Sequence, residues 1–399
     1  MIDSFLLLSM AVSILLATGI GVTLYKLGFP LPTGERFGCV DGLRGYLAIS
    51  VMFHHFIIWL GYKFGHPWVE PTVNLYNEFG KAAVSMFFMA TGLVFYPRIV
   101  DGFRATNWLL TYNGRLFRII PMLLVSTLLS ALVIAVENHT MPTRRFPLEV
   151  LSWTLGVQKP LMHIATSNLV NAAVLWSIKW EWIFYFGILP LIAAIRIPFD
   201  RDKLWILLIL LLALSFQARM TGLDIFTYMP LFIFGMLTGE VVRHGSVQKL
   251  LSQRWLTAPL LAALLASTTL FHTPYGLVPM VLLAAVFFCV AAGNDLLGLL
   301  SNRGARVLGE ISFSVYVMHG IIIYIAFRIF PIERNYIIYL PILLSITILI
   351  SAAGFILVEK PAIAFGKKAY PYARSFVDRV MRRERVVPTG NHTRPLRVE

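Results

Sequence analysis

Arg44 and His55 stand eleven residues apart in one apolar stretch, CVDGLRGYLAISVMFHHF. Helical spacing through positions 44, 48, 51 and 55 puts them on one face, with the imidazole roughly 16 Å further along the axis. In a hydrocarbon slab about 30 Å thick, an arginine at one edge would then have a histidine near mid-depth above it. Ionisable groups at that depth are costly and are retained for function or pairing. Two more fall into the same layer: Glu181, roughly 21 Å from the inner end of its span, and His319, roughly 12 Å from the inner end of its own. Below them Arg115 and Arg118, three residues apart on one helix face, precede Pro121. An imidazole is the side chain best suited to accept a proton near neutral pH. A nearby carboxylate can orient it or hold its charge, and a low dielectric strengthens that arrangement. Arginine forks match phosphate oxygens, so Arg44, Arg115 and Arg118 suit a phosphate-bearing donor, although helix-end anchoring would also place cations there. His54 is rotated about 100° from His55, so the two cannot chelate one metal, and no metal site is expected. The chain has no P-loop, paired-glycine dinucleotide fingerprint or zinc-protease helix, and no nucleophile elbow. The residues point to a buried base and a phosphate-bearing donor, without a hydrolytic nucleophile.

The elements that must position these groups are membrane spans. The 399 residues are 58% hydrophobic and 14% charged, with a mean hydropathy of +0.74, against about 25% charged residues in soluble domains. That excludes a cytosolic enzyme, a disordered scaffold and a disulfide-stapled secreted domain; Cys39 and Cys289 are the only cysteines. Windows of about 20 apolar residues predict eleven spans, at 4–24, 45–63, 80–97, 116–136, 174–195, 204–218, 225–242, 256–272, 275–292, 311–329 and 336–358. The stretch 204–218 is short for a span, and 256–272 and 275–292 form a tight pair around Pro274. Residues 144–169 are too polar to span and read as a loop with an interfacial or re-entrant piece carrying Trp153. In alternate loops the Lys and Arg count is 25 against 8, or 15 against 8 without the tail. By the positive-inside rule the C-terminus is cytoplasmic and the N-terminus outside. The net charge of +14 therefore speaks of topology and lipid, not of nucleic acid. Asp3 precedes the first apolar run and Lys26 follows it, the reverse of a signal peptide, which predicts a retained helix. The basic tail from Lys360 onward reads as a solvated anchor on anionic lipid.

Five segments in order resemble the acyltransferase-3 family of integral-membrane acyltransferases. VDGLRGYLAISVMFHH is similar to its Asp-Gly-Leu-Arg, ten residues, His pattern, ending here in His55. GKAAVSMFFMATG resembles the Phe-Phe-x-x-Ser-Gly segment, with Thr91 where serine is usual. RLFRIIP matches Arg-x-x-Arg-x-x-Pro at Arg115, Arg118 and Pro121. LWSIKWEWIFY resembles the block that here supplies Trp176, Ser177, Glu181 and Tyr185, and LGEISFSVYVMHG the late block ending in His319. Glu-Lys-Pro at 359–361 closes the final span.

The resemblance implies an all-α polytopic membrane protein with a ten-helix acyltransferase core over 36–361, an extra N-terminal helix within 1–30 and a basic tail over 362–399. It implies transfer of an acyl group, often acetyl from acetyl-CoA, to a hydroxyl of a cell-envelope carbohydrate such as an O-antigen or exopolysaccharide, which can be lipid-linked, in a bacterial inner membrane. Acylation of a small product such as a macrolide is the alternative within the family. On this reading the CoA phosphates meet Arg44, Arg115 and Arg118, and His55 is the general base or, as the lesser alternative, takes the acyl group itself. Glu181 orients that imidazole or engages the acceptor. Ser177 and Tyr185, on the face of Glu181 at i,i+4 spacing, line the acceptor route with Trp176; His319 is either pocket wall or structural hydrogen bond. Lys179, about 160° around the helix from Glu181, faces outward or snorkels. A proton-coupled transporter would also use buried His and Glu, but no inverted repeat or pair of broken helices stands out. A membrane scaffold would leave the arginine-to-histidine spacing unexplained.

Overall fold

The computed structural model describes residues 3–32, 37–196 and 199–384, with side chains to 379. Among the described residues regular structure is helical throughout, apart from one isolated bridge between Leu161 and Ile164. That is what an apolar chain must do in a solvent that offers its backbone no hydrogen bonds. The long elements come in chain order as α1 (Ser4–Lys26), α2 (Gly38–Lys63), α3 (Asn74–Asp101) and α4 (Trp108–Asn138), followed by the short α5 (Phe146–Thr154). Next, α6 (Trp176–Ile183) and α7 (Leu189–Ile195) are fused by a π turn at Phe184–Ile188. The remaining helices are α8 (Leu204–Ala218), α9 (Ile225–Arg243), α10 (Gly245–Leu251), α11 (Thr257–Leu270), α12 (Leu277–Ala292), α13 (Arg303–Glu310), α14 (Ser312–Ile329) and α15 (Tyr336–Gly354). A second π turn, Phe355–Glu359, carries α15 into α16 (Lys360–Glu384).

All eleven predicted segments are helical, and among the described residues nine helical runs are long and apolar enough to cross a bilayer. The protein is an all-α polytopic membrane protein. The tight pair differs from the other spans. With 14 and 16 residues, α11 and α12 rise only about 21 and 24 Å, short of the roughly 30 Å hydrocarbon slab. Pro274 sits between them, where its missing N–H and the constraint it places on Thr273 stop a helix. The short stretch 204–218 gains length from single 3-10 turns at each end, giving a run of Arg201–Thr221.

Helix α3 is the hub and packs most extensively on α9 and α2. Its contact with α9 is backbone on backbone: a Cβ on Gly92 would lie 2.1 Å from the Phe232 carbonyl oxygen, and one on Gly235 would lie 1.9 Å from that of Met89. Lipid gives apolar helices no hydrophobic reason to associate, so close approach over small residues supplies the contact energy instead. The extra helix α1 is part of the bundle. It packs on α13 and α15, is capped by Asp3, and is tied to α15 by Ser9 donating to the Ile337 carbonyl at 2.7 Å. Two loops differ from the sequence reading. Residues 144–169 were expected as a loop with an interfacial or re-entrant piece carrying Trp153, but Trp153, Leu161 and Met162 are buried, and the turn Ser167–Asn171 packs against α14 and α4. Irregular backbone is tolerated at such a place only when protein covers it. The first part of the basic tail, expected to be solvated, continues as α16 and packs on α4, where Asn113 donates to the Gly366 carbonyl at 2.8 Å. Arg36, the first residue of the expected core, and tail residues 385–399 lie outside the described residues.

Candidate active site

His55 sits on a face of α2 that is otherwise sealed. Val51 and Trp59, one turn below and one above, are 1% and 2% exposed, yet the imidazole keeps partial exposure. Nδ1 of His55 lies 3.0 Å from the Val51 carbonyl oxygen and 3.1 Å from Nε2 of His319. His319, on α14, is wholly buried, and its Nδ1 lies 3.0 Å from the Val315 carbonyl oxygen. A carbonyl oxygen only accepts, so Nδ1 of each ring carries the hydrogen. The one Nδ1 hydrogen of His55 is then shared between two acceptors, the Val51 carbonyl oxygen and Nε2 of His319, and the lone pair of His55 is at Nε2, which among the described residues has no hydrogen-bond partner. His54 is a different case. Its Nδ1 faces the Tyr76 carbonyl at 3.0 Å and its ring fills the space left by Gly80, where a Cβ would lie 2.6 Å from the imidazole.

A cavity of about 870 Å³ approaches this pair from the end of the bundle that carries the arginines, a volume typical of small-molecule sites. Arg44, Arg115 and Arg118 line it, and Glu181, Ser177 and Tyr185 line its deeper part. Thus α2, α4 and the α6–α7 rod bring six of the nine residues singled out by the sequence to one space. Arg44 faces Asp41 at 3.6 Å, and the Arg115 guanidinium lies 4.4 Å from the centre of the Phe95 ring. Tyr185 donates to Glu181 at 2.8 Å across the start of the π turn, an irregularity common at functional positions.

The cavity stops short of His55. Its inner wall includes Tyr316, whose hydroxyl shares a 2.8 Å hydrogen bond with Ser177 and donates to the Val174 carbonyl at 3.0 Å. Behind that wall the Tyr316 ring is 6.2 Å, centre to centre, from His319. The orienting partner expected in Glu181 is supplied in this structure by His319, while Glu181 keeps its place in the cavity. His319, expected as wall or structural hydrogen bond, is bonded to His55 itself. Trp176 is not in the cavity lining; it packs against Tyr228 at 5.3 Å, in an aromatic cluster with Trp180. Lys179 is exposed and its ammonium lies 4.8 Å from the Trp180 ring centre. Among the described residues no cluster of three or more His, Cys, Asp or Glu is placed to hold a metal.

A family model described as an acyltransferase domain, the acyltransferase-3 model, matches residues 37–356. The chain belongs to the acyltransferase-3 family. No curated protein and no solved structure gives a match. The matched region of this membrane acyltransferase holds every residue of the cavity and of the histidine pair named above.

Sequence reasoning missed Tyr316 and the far rim of the cavity, formed by Arg201, Arg243 and Gln248. Tyr316 lies three residues before His319, so the i,i+3 rule would have placed it on the same face. Arg243 pairs with Glu240 at 2.7 Å and Asp202 at 3.6 Å; no local spacing in the sequence reports that it faces Arg44 across a cavity.

Proposed function

We propose that this acyltransferase moves an acyl group, in the first instance acetyl, from acyl-CoA to a hydroxyl of a cell-envelope carbohydrate, including a lipid-linked one. The arginine end of the bundle faces the cytoplasm, as the charge count across loops supports. The phosphates of CoA meet Arg44, Arg115 and Arg118, whose planar forks can each engage two phosphate oxygens. The acyl-pantetheine arm runs inward past Glu181 toward Tyr316. His55 Nε2 takes the proton of the acceptor hydroxyl as its oxygen attacks the thioester carbonyl carbon. The carbon–sulfur bond breaks, and the thiolate of CoA recovers the proton from Nε2, leaving the ester, free CoA thiol and neutral His55. Glu181 and Ser177 line the last part of the donor's path, Tyr185 belongs to the wall that positions the acceptor, and Trp176 stands behind it in the aromatic cluster with Tyr228.

The observation that carries this reading is an arginine-lined cavity that ends at Tyr316, 6.2 Å in front of His319, whose ring is bonded to His55. The experiment is acetyl transfer by purified protein in vesicles, with labelled acetyl-CoA and envelope glycan fractions, read by mass spectrometry of the glycans. Label appears in glycan with the wild-type protein and not with His55→Ala. Passage of label across the membrane without glycan acetylation would mark a carrier and overturn the proposal.

A further inference from the structure

His319 cannot reach a substrate in the cavity, because it is wholly buried behind Tyr316. Its two nitrogens are nonetheless both engaged, one by the Val315 carbonyl and one by His55. The opposite arrangement, with the hydrogen on His319 Nε2, would set the lone pair of His319 Nδ1 against Val315 oxygen and that of His55 Nδ1 against Val51 oxygen. Two lone-pair contacts at 3.0 Å exclude it, since a buried acceptor facing an acceptor forfeits a hydrogen bond on both sides. The helix that carries His319 thus dictates that its Nε2 accepts and that His55 donates to it. The rings lie 5.1 Å apart, centre to centre, and 35° from coplanar, so the bond runs from ring edge to ring edge.

We propose that His319 is the positioning residue of the acyl transfer: it holds His55 with Nε2 toward the reacting groups and takes up part of the positive charge that His55 acquires. This inference rests on the transferase reading of the site. When His55 Nε2 receives the acceptor's proton, the ring becomes imidazolium, and its Nδ1–H bond to His319 becomes charge-assisted, the stronger class of hydrogen bond. Should the Nδ1 proton shift along that bond to His319 Nε2, it returns as Nε2 of His55 gives its proton to the departing thiolate, so atoms and charge balance through the cycle. The role is the one a carboxylate performs beside histidine in acyl-transfer triads, performed here by a neutral group that costs less to bury.

Two measurements test it, and they separate this inference from the reading beneath it. In full-length protein labelled with 15N-histidine and held in lipid nanodiscs, His55 shows a protonated Nδ1, an unprotonated Nε2, and scalar coupling from Nδ1 to Nε2 of His319. A His55 protonated at Nε2, or one without that coupling, overturns the pairing whatever the enzyme's donor proves to be. In membranes that supply native envelope acceptor and labelled acetyl-CoA, His319→Leu lowers kcat about a hundredfold, the low end of what general-base catalysis contributes, with KM for acetyl-CoA unchanged. His319→Gln, whose amide oxygen can accept from His55 Nδ1, stays within about tenfold of wild type. Leu and Gln variants of equal activity overturn the positioning role. Wild-type protein that transfers nothing from acetyl-CoA overturns the donor assignment instead, and the coupling still decides the pair.

Discussion

The two ends of the Arg44–His55 axis treat polar side chains in opposite ways. At the arginine mouth the Arg44 side chain is 22% exposed and meets Asp41 at 3.6 Å, and Arg115 rests on an aromatic ring beside an open cavity. Charges there sit beside a carboxylate or an aromatic face, with the cavity open next to them. Eleven residues along the same helix, His54 and His55 each set Nδ1 against a main-chain carbonyl, and His319 on α14 does the same. Every ring in this layer has its hydrogen assigned by backbone. The mouth is therefore specified by charge, which is tolerant of position, and the layer by hydrogen-bond direction, which is not.

The strongest way to break this contrast is at the layer. His55→Ala removes the imidazole proposed to take the acceptor's proton, and kcat should fall about a thousandfold or more with KM for acyl-CoA little changed. A loss confined to KM would move His55 from the chemistry to donor binding. At the mouth, Arg115→Ala and Arg118→Ala should each raise KM for acyl-CoA about 10- to 100-fold, as expected for a charge-assisted hydrogen bond of about 1.5–3 kcal/mol, while kcat changes little. Lysine at either position should restore part of the loss, because a point charge suffices there but the fork is missing. Equal loss with lysine and alanine would show that the mouth, too, depends on direction. Between the two regions stands Tyr316. Tyr316→Phe leaves the ring but withdraws the donor from the Val174 carbonyl and the bond to Ser177. Leaving a buried carbonyl without a partner costs about 1–3 kcal/mol, read as a lowered unfolding temperature in detergent, with kcat reduced less than tenfold.

The sequence reveals these regions unequally, for a physical reason. Arg44 and His55 share one helix, so their alignment follows from 3.6 residues per turn. Ser177, Glu181 and Tyr185 share another, and the i,i+4 rule places them together. The partner of His55 is 264 residues away, and its identity depends on how α14 is rotated against α2, which no local period encodes. The same holds for the far rim of the cavity, where Arg201 and Arg243 arrive from the α8 and α9 side. Buried irregular backbone is hardest to foresee. The polar stretch at 144–169 reads as a loop with an interfacial or re-entrant piece by composition, and only the packing at its end, where a Cβ on Gly320 would lie 2.3 Å from the Asn171 carbonyl carbon, shows that the bundle accommodates it.

The far rim gives the smallest expected effect and the finest test of the contrast. Arg243 is already held by Glu240 at 2.7 Å, and Arg201 is exposed. Both line the same cavity as Arg44 and Arg118, so a donor entering there passes all four cations. A phosphate drawn to Arg243 must compete with a buried carboxylate for the same guanidinium, and one drawn to Arg201 meets a charge that solvent screens. Arg243→Gln and Arg201→Gln should therefore raise KM for acyl-CoA less than about threefold at physiological salt, equivalent to a surface ion pair of roughly 0–1 kcal/mol. Lowering the ionic strength tenfold lengthens the screening distance roughly threefold, and the rim variants should then fall further behind wild type in kcat/KM while Arg115→Ala keeps the same ratio. A rim effect as large as that of Arg115, and as indifferent to salt, would mean that the donor's charged end seats between α9 and α2, and the mouth would have to be redrawn around Arg243.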